Sequence, residues 1–261
     1  MRRITGCDRA EQGARRPATA ARLAALTIAA VLALSGCAAE PTEPMTSKAP
    51  APSAPASSGD GVLTIGTLFS IGGSSADIAA AQIAGVELAV REINEAGGVL
   101  GEPVRVFHRT SGNADESVVE ASFAELVTKE VDVVIGLTSS TLVDRIQPLA
   151  DESGIALFSQ ATATGSAVDD TFASRVLSMD PAIRTTDFAA EAYDATILAA
   201  LAATVADDDG GATIAYAAAG LMAEGGADRI ECTSFGECRH VLADRADIHY
   251  SGISGALPPF S

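Results

Sequence analysis

VLTIGTLFSIGGSSADIAAAQIAGVELAVREINEAGG, residues 62–98, decides the fold. Val62–Phe69 is an unbroken aliphatic and β-branched run of strand length, closed by Ser70, Gly72 and Gly73, which predicts a buried strand leading into a loop. From Ile78 to Glu95 the residues Ala79, Ile83, Val86, Val90 and Ile93 recur at steps of four and three, which puts them on one face of a helix. Gly97-Gly98 then supplies the stop, because glycine takes the left-handed backbone that ends a helix at no steric cost.

Moving outward toward the C-terminus, the unit repeats. Val104–Phe107 reads as a strand, 117–129 as a helix, Val131–Ile135 as a strand, 142–150 as a helix and Ile155–Phe158 as a strand. Apolar strands alternating with amphipathic helices predict an α/β fold: a parallel sheet with helices on both faces, forming a single Rossmann-like lobe. Ligands of such sheets sit beyond the carboxyl ends of the strands. Here those ends are the loops 70–75, 110–113, 137–141 and 159–165, most of them rich in Ser, Thr and Gly.

Moving outward toward the N-terminus, the composition changes character. Arg15, Arg16 and Arg22 precede the apolar run LAALTIAAVLAL (23–34), followed at once by Ser35, Gly36 and Cys37. A basic segment, a short apolar run and small residues describe a signal peptide, and twelve residues fall short of the roughly 20 that span a bilayer. Leu34-Ser35-Gly36-Cys37 resembles the lipobox of bacterial lipoproteins, which implies acylation of the Cys37 thiol and a lipid anchor on the extracytoplasmic face of the cell membrane. Residues 37–61 are rich in Pro, Ala and Ser, with little to bury, and read as an extended, mobile tether. The expected organisation is therefore signal peptide 1–36, tether 37–61 and folded lobe 62–255.

The chain carries a formal net charge of −17. Removing the arginine-rich leader makes this more negative, and such a surface repels phosphates, so no nucleic-acid partner is expected. No nucleophile elbow, zinc-protease helix or phosphate-binding glycine loop follows a strand, and His108 stands alone at a strand end, so no enzyme and no cofactor are expected. Asp207-Asp208-Asp209, before Gly210-Gly211, reads as a solvated turn.

The order of several segments carries a family resemblance. TIGTLFSIGGSS (64–75), AVREINEAGGVLGEPVRV (89–106), DVVIGLTSS (132–140) and GIALFSQATATG (154–165) resemble the first lobe of the leucine/isoleucine/valine-binding family of type I periplasmic solute-binding proteins. FAAEAYDATILAALAA (188–203) and ECTSFGECRHVLA (231–243) resemble late helices of the same lobe in actinobacterial members. The resemblance implies a solute-binding lipoprotein of an ABC importer, with an amino-acid-like solute and the transporter permease as partners. It also implies a second lobe between Thr164 and Glu191, where only residues 165–190 stand, so a single-lobe or internally deleted form with impaired binding is expected. Residues 171–188 are either the exit crossover or the helix before the return. The alternatives are a single-lobe module for sensing or protein interaction, and an inactive remnant.

By the same resemblance, Ser140 with Ser139 meets the ligand's carboxylate, and the stretch Ala161, Thr162 and Thr164 meets its ammonium. Hydroxyls and helix N-terminal amides suit a carboxylate, although helix capping calls for the same residue type at 139 and 140. Ala163 stands where the family has threonine, and loop 70–78 lacks the aromatic residue often found there. Cys232 and Cys238 fit no zinc spacing, and family members carry this pair, which implies a local disulfide rather than a metal site with His240 and His249.

If Cys37 carries the anchor, wild-type protein will fractionate with membranes and Cys37→Ala will not. Wild-type protein recovered soluble and uncleaved would overturn the lipobox reading.

Overall fold

The computed structural model of the protein describes residues 53–112, 116–223, 228–244 and 246–255; the leader, Cys37 and the tether up to residue 52 lie outside the described residues. Four strands, β1 (Thr64–Phe69), β2 (Arg105–Thr110), β3 (Val133–Gly136) and β4 (Ala156–Ser159), pair in parallel in the order β2-β1-β3-β4. β1, β3 and β4 are buried along their whole length, which is why they read as continuous apolar runs rather than alternating ones. β2 lies at the edge and is only partly buried.

Three helices make the crossovers: α1 (Ala76–Glu95), α2 (Glu116–Val127) and α3 (Ser140–Ser153). The sheet's two faces carry separate cores. Leu68, Val134 and Leu157 pack with Val119, Phe123 and Leu126 of α2 and Ile146 of α3. Ile65, Val133, Ile135 and Phe158 pack on the other face with α1 and the later helices. These are α4 (Asp170–Met179), α5 (Ala189–Ala206), α6 (Gly211–Met222) and α7 (Phe235–Ala243). The α/β lobe with helices on both faces is thus the fold observed.

The EINEAGG motif has a mechanical reason. Gly97 and Gly98 take φ of 104° and 72° and end α1. Asn94 then clamps the start of the next strand: its Oδ1 accepts from Val104 N at 2.7 Å and its Nδ2 donates to the Val104 carbonyl at 3.1 Å.

α5 has no polar face. Fifteen of its 18 residues are buried, among them Glu191 and Asp194. It is long and apolar enough to cross a membrane by length and composition, with mean hydropathy 1.3, yet 83% of it is buried within the lobe as a core helix. It reaches α1 through Gly85, where a Cβ would stand 2.2 Å from the Ala189 carbonyl oxygen. Asp194 fastens the last described segment, accepting from the Tyr250 hydroxyl, the Ile253 and Ser254 amides and the Ser254 hydroxyl at 2.6–3.0 Å. Burial pushes the Asp194 carboxyl up in pKa, and these donors oppose that shift.

Residues 171–188, left open from sequence, hold α4, a helix of this lobe that lies against α1. Phe172 and Val176 are buried, and Arg175 pairs with Glu92. Asp169 caps it by accepting from Phe172 N at 2.7 Å.

Two features depart from expectation. The segment read as a solvated turn is not solvated: Asp208 and Asp209 are 6% and 1% exposed. They are buried because they accept hydrogen bonds from the end of the tether, Asp208 from the Ser58 and Gly59 amides and Asp209 from the Gly61 amide, at 3.0–3.3 Å. Second, Ile230–Cys232 (β5) and Ile248–Tyr250 (β6) form a separate two-stranded parallel sheet. Cys232 and Cys238 are joined in a disulfide with Cα atoms 5.2 Å apart, linking β5 to α7.

Gly85→Ala places a methyl group against backbone that has no flexible end to give way. It is expected to cost about 2–3 kcal/mol, read as a lowered urea midpoint with an unchanged slope.

Candidate functional site

The order β2-β1-β3-β4 makes the chain turn in opposite directions from β1, so the loops after β1 and β3 part at a switch point, the usual ligand position in open α/β sheets. The rim is built from small polar groups that tie neighbouring loops together. After β1, the Ser70 hydroxyl donates to the Gly112 carbonyl at 2.8 Å and lies 3.1 Å from the Ser111 hydroxyl in the loop after β2. At the end of β4, the Ser159 hydroxyl donates to the Leu137 carbonyl and accepts from Ala161 N at 3.1 Å, joining the loops of β3 and β4.

Between them, β3 ends in a tight turn. Gly136 has φ 134°, and a Cβ there would meet the Leu68 carbonyl at 2.3 Å, so only glycine lets β3 lie this close to β1. Leu137 follows with φ 57°. The chain then enters α3 with Ser139 at the N-cap and Ser140 as the first helical residue. Ser139 has the extended backbone of a cap, and its carbonyl accepts from Val143 N at 3.1 Å, but its side chain makes no capping hydrogen bond. The first turn of α3 contains no acidic residue. A 14-residue helix therefore presents its amide end at the switch point, where anions are favoured.

The structure brings the predicted residues to one rim. Ser139 and Ser140 sit on the loop after β3, and Ala161, Thr162 and Thr164 on the adjoining loop after β4. Ser140, Thr162 and Thr164 are exposed, while Ser139 and Ala161 are half-buried.

Beneath this rim lie two groups that sequence reasoning missed. Gln160 opens the β4 loop and is 2% exposed; its Oε1 accepts from Gln82 Nε2 of α1 at 2.6 Å. Glu191 on α5 accepts from Ser166 N at 2.6 Å, holding the far end of the same loop. Gln160 Nε2 and Glu191 Oε2 are buried without a partner. Single glutamines and glutamates carry no spacing signal, so only the folded arrangement reveals them. His108 is not a free ligand: its ring lies between the Thr67 hydroxyl at 2.8 Å and Glu87 at 2.9 Å, and that hydrogen bond holds the Glu87 carboxyl below its ordinary range. Among the described residues, no group of three or more His, Cys, Asp or Glu side chains is arranged to hold a metal ion.

Residues 62–231 match the family model described as periplasmic binding protein. No curated protein matches the chain. Among solved structures, the branched-chain amino acid transporter substrate-binding protein LivJ from Streptococcus pneumoniae, in complex with isoleucine, is 30% identical. That match covers 38% of this chain and 28% of that one, with a TM-score of 0.35. A solute-binding protein of an ABC transporter from R. palustris, in complex with 4-hydroxybenzoate, is 20% identical over 38% of this chain and 26% of that one, TM-score 0.34. A fatty acid ABC transporter substrate-binding protein from Thermomonospora curvata is 14% identical over 73% of this chain and 43% of that one, TM-score 0.36. The chain thus spans less than half the length of each.

Proposed function

Since this chain belongs to the periplasmic binding protein family, we propose that it is an extracytoplasmic solute-binding component of an ABC importer that meets an amino-acid-like solute at the rim beyond β1, β3 and β4. The observation that carries this reading is the start of α3. Ser139 is positioned as a cap without spending its hydroxyl on capping, and the helix amides beside it have no acidic partner in the first turn. Both are donors suited to a carboxylate. On the adjoining loop, the Thr162 and Thr164 hydroxyls and the Ala161 carbonyl are acceptors for an ammonium group. Ala163, standing where a family threonine is expected, removes one such acceptor and argues for a weaker ammonium contact.

Binding, rather than catalysis, fits this set of groups. Among the described residues, the rim offers hydroxyls and amides but no base poised beside a nucleophile. Anchoring through Cys37 would keep the lobe near a membrane-embedded permease at high effective concentration. A single lobe leaves one side of a bound solute open to water, and polar contacts there are weaker than in a closed cleft.

A thermal-shift panel of the twenty amino acids, 4-hydroxybenzoate and a medium-chain fatty acid tests the reading. A ligand of the folded state raises the melting temperature by mass action, and a rise with at least one amino acid is expected. Ser140→Ala should weaken that ligand by about tenfold, the loss of one hydrogen bond to a charged group. No shift with any of the twenty amino acids would sink the proposal, whatever the other two ligands do.

A further inference from the structure

At the end of the sheet opposite the rim, the chain's own approach segment is built into the lobe. Ala54, Pro55 and Ser57 line a groove of about 810 Å³ together with Val205, Ala217 and Leu221. Ser58, Gly59 and Gly61 then donate their amides to Asp208 and Asp209. The fit is close: a Cβ on Gly59 would lie 1.8 Å from Asp209 Oδ1, and one on Gly210 would lie 2.2 Å from the Ser58 hydroxyl. Asp208 is held in place from the other side by the Thr213 hydroxyl and the Gly210 amide. Burial works to raise its pKa, but the hydrogen bonds from Thr213 and from the Gly59, Ser58 and Gly210 amides outweigh it and keep the carboxyl below the usual range.

Residues 53–60 are nonetheless exposed, so this attachment rests on a few hydrogen bonds rather than on apolar burial. Segments held in that way open locally at far lower cost than the core. Beneath the attachment is a cavity of about 420 Å³ lined by Ser58, Asp60, Glu130, Asp132, Gly210 and Gly211, among others, with no Lys, Arg or His in its lining. Asp132 accepts from Thr64 N at 2.8 Å and so also holds the first residue of β1.

We propose that residues 54–61 form a strap, latched by Asp208 and Asp209 and loosened by charge on Asp132, that sets how far the lobe stands from whatever holds the chain upstream. Released, these eight residues add roughly 27 Å of reach at about 3.4 Å each. With the strap latched, burial and then the neighbouring Asp209, Asp60 and Asp208 charges push the Asp132 carboxyl up to about 7 from its ordinary 3.8. Glu130, on the same cavity, adds to the negative surroundings. Opening the strap admits water and removes Asp60, so the open form holds the proton less tightly. The latched form therefore binds more protons below about pH 7, and the latch weakens as pH rises toward that value and levels off above it.

Hydrogen exchange on the full chain, read as protection factors so that intrinsic exchange cancels, tests this. At pH 5 the Ser58, Gly59 and Gly61 amides should be protected, and at pH 8 that protection should fall by at least about tenfold. Asp132→Asn, which keeps the acceptor for Thr64 but cannot ionise, should retain protection at both values. Asp208→Ala with Asp209→Ala, which removes the acceptors, should lose it at both, while β3 amides such as Val134 stay protected and report an intact fold. Wild-type strap amides unprotected at pH 5 would overturn the latch. Equal protection at pH 5 and 8, matched by Asp132→Asn, would overturn its control by charge.

Discussion

The approach of α5 to α1 at Gly85 is the contact on which the second core rests. α5 lies across the face of the sheet that α1 already covers, and a helix buried on all sides can reach that position only if a neighbour yields space. Gly85 yields it, bringing helix backbone against helix backbone. From there, α5 carries Glu191 to the rim loop and Asp194 to the residues around Ser254, so three parts of the chain distant in sequence are fixed by one helix. The Phe172 and Tyr193 rings, packed edge to face at 5.4 Å, bring α4 into the same arrangement.

The sheet separates two kinds of polar chemistry. At the carboxyl ends of the strands, hydroxyls and amides tie loops to one another and leave donors facing outward. At the amino ends, carboxylates dominate: Asp132 holds β1, while Asp208 and Asp209 hold the segment that enters it. A parallel sheet makes this division natural, because every strand begins at one end and finishes at the other. Hydroxyls and amides at one end tie loop to loop, and acceptors at the other take up the chain's own amides.

Much of the first half of the fold was legible. The four strands and three crossover helices announce themselves by periodicity, since each side chain's burial follows from its place on a sheet face or helix stripe. The residues of the two rim loops could also be placed, because topology puts them where the strands end. What escaped reading depends on long-range partners. Asp208 and Asp209 look like a solvated turn until Ser58–Gly61 arrives nearly 150 residues away in sequence. Gln160 and Glu191 carry no local pattern at all. β5 and β6 are three residues each, too short for alternation to register. α5, apolar all round, has the composition of a buried helix but no stripe to say which neighbour it would meet.

That lack of a stripe bears on how the chain would be exported. If the expected signal peptide directs export of an unfolded chain, Ala189–Ala206 would be a segment that a translocation channel can mistake for a membrane span. Charged side chains argue against such arrest: an aspartate costs about 3 kcal/mol at the middle of a span. Asp194 and Glu191 both lie inside this segment. If the chain is exported unfolded, the two acidic residues that fasten the finished lobe would have an earlier task, keeping the helix moving through the membrane before there is any fold to fasten.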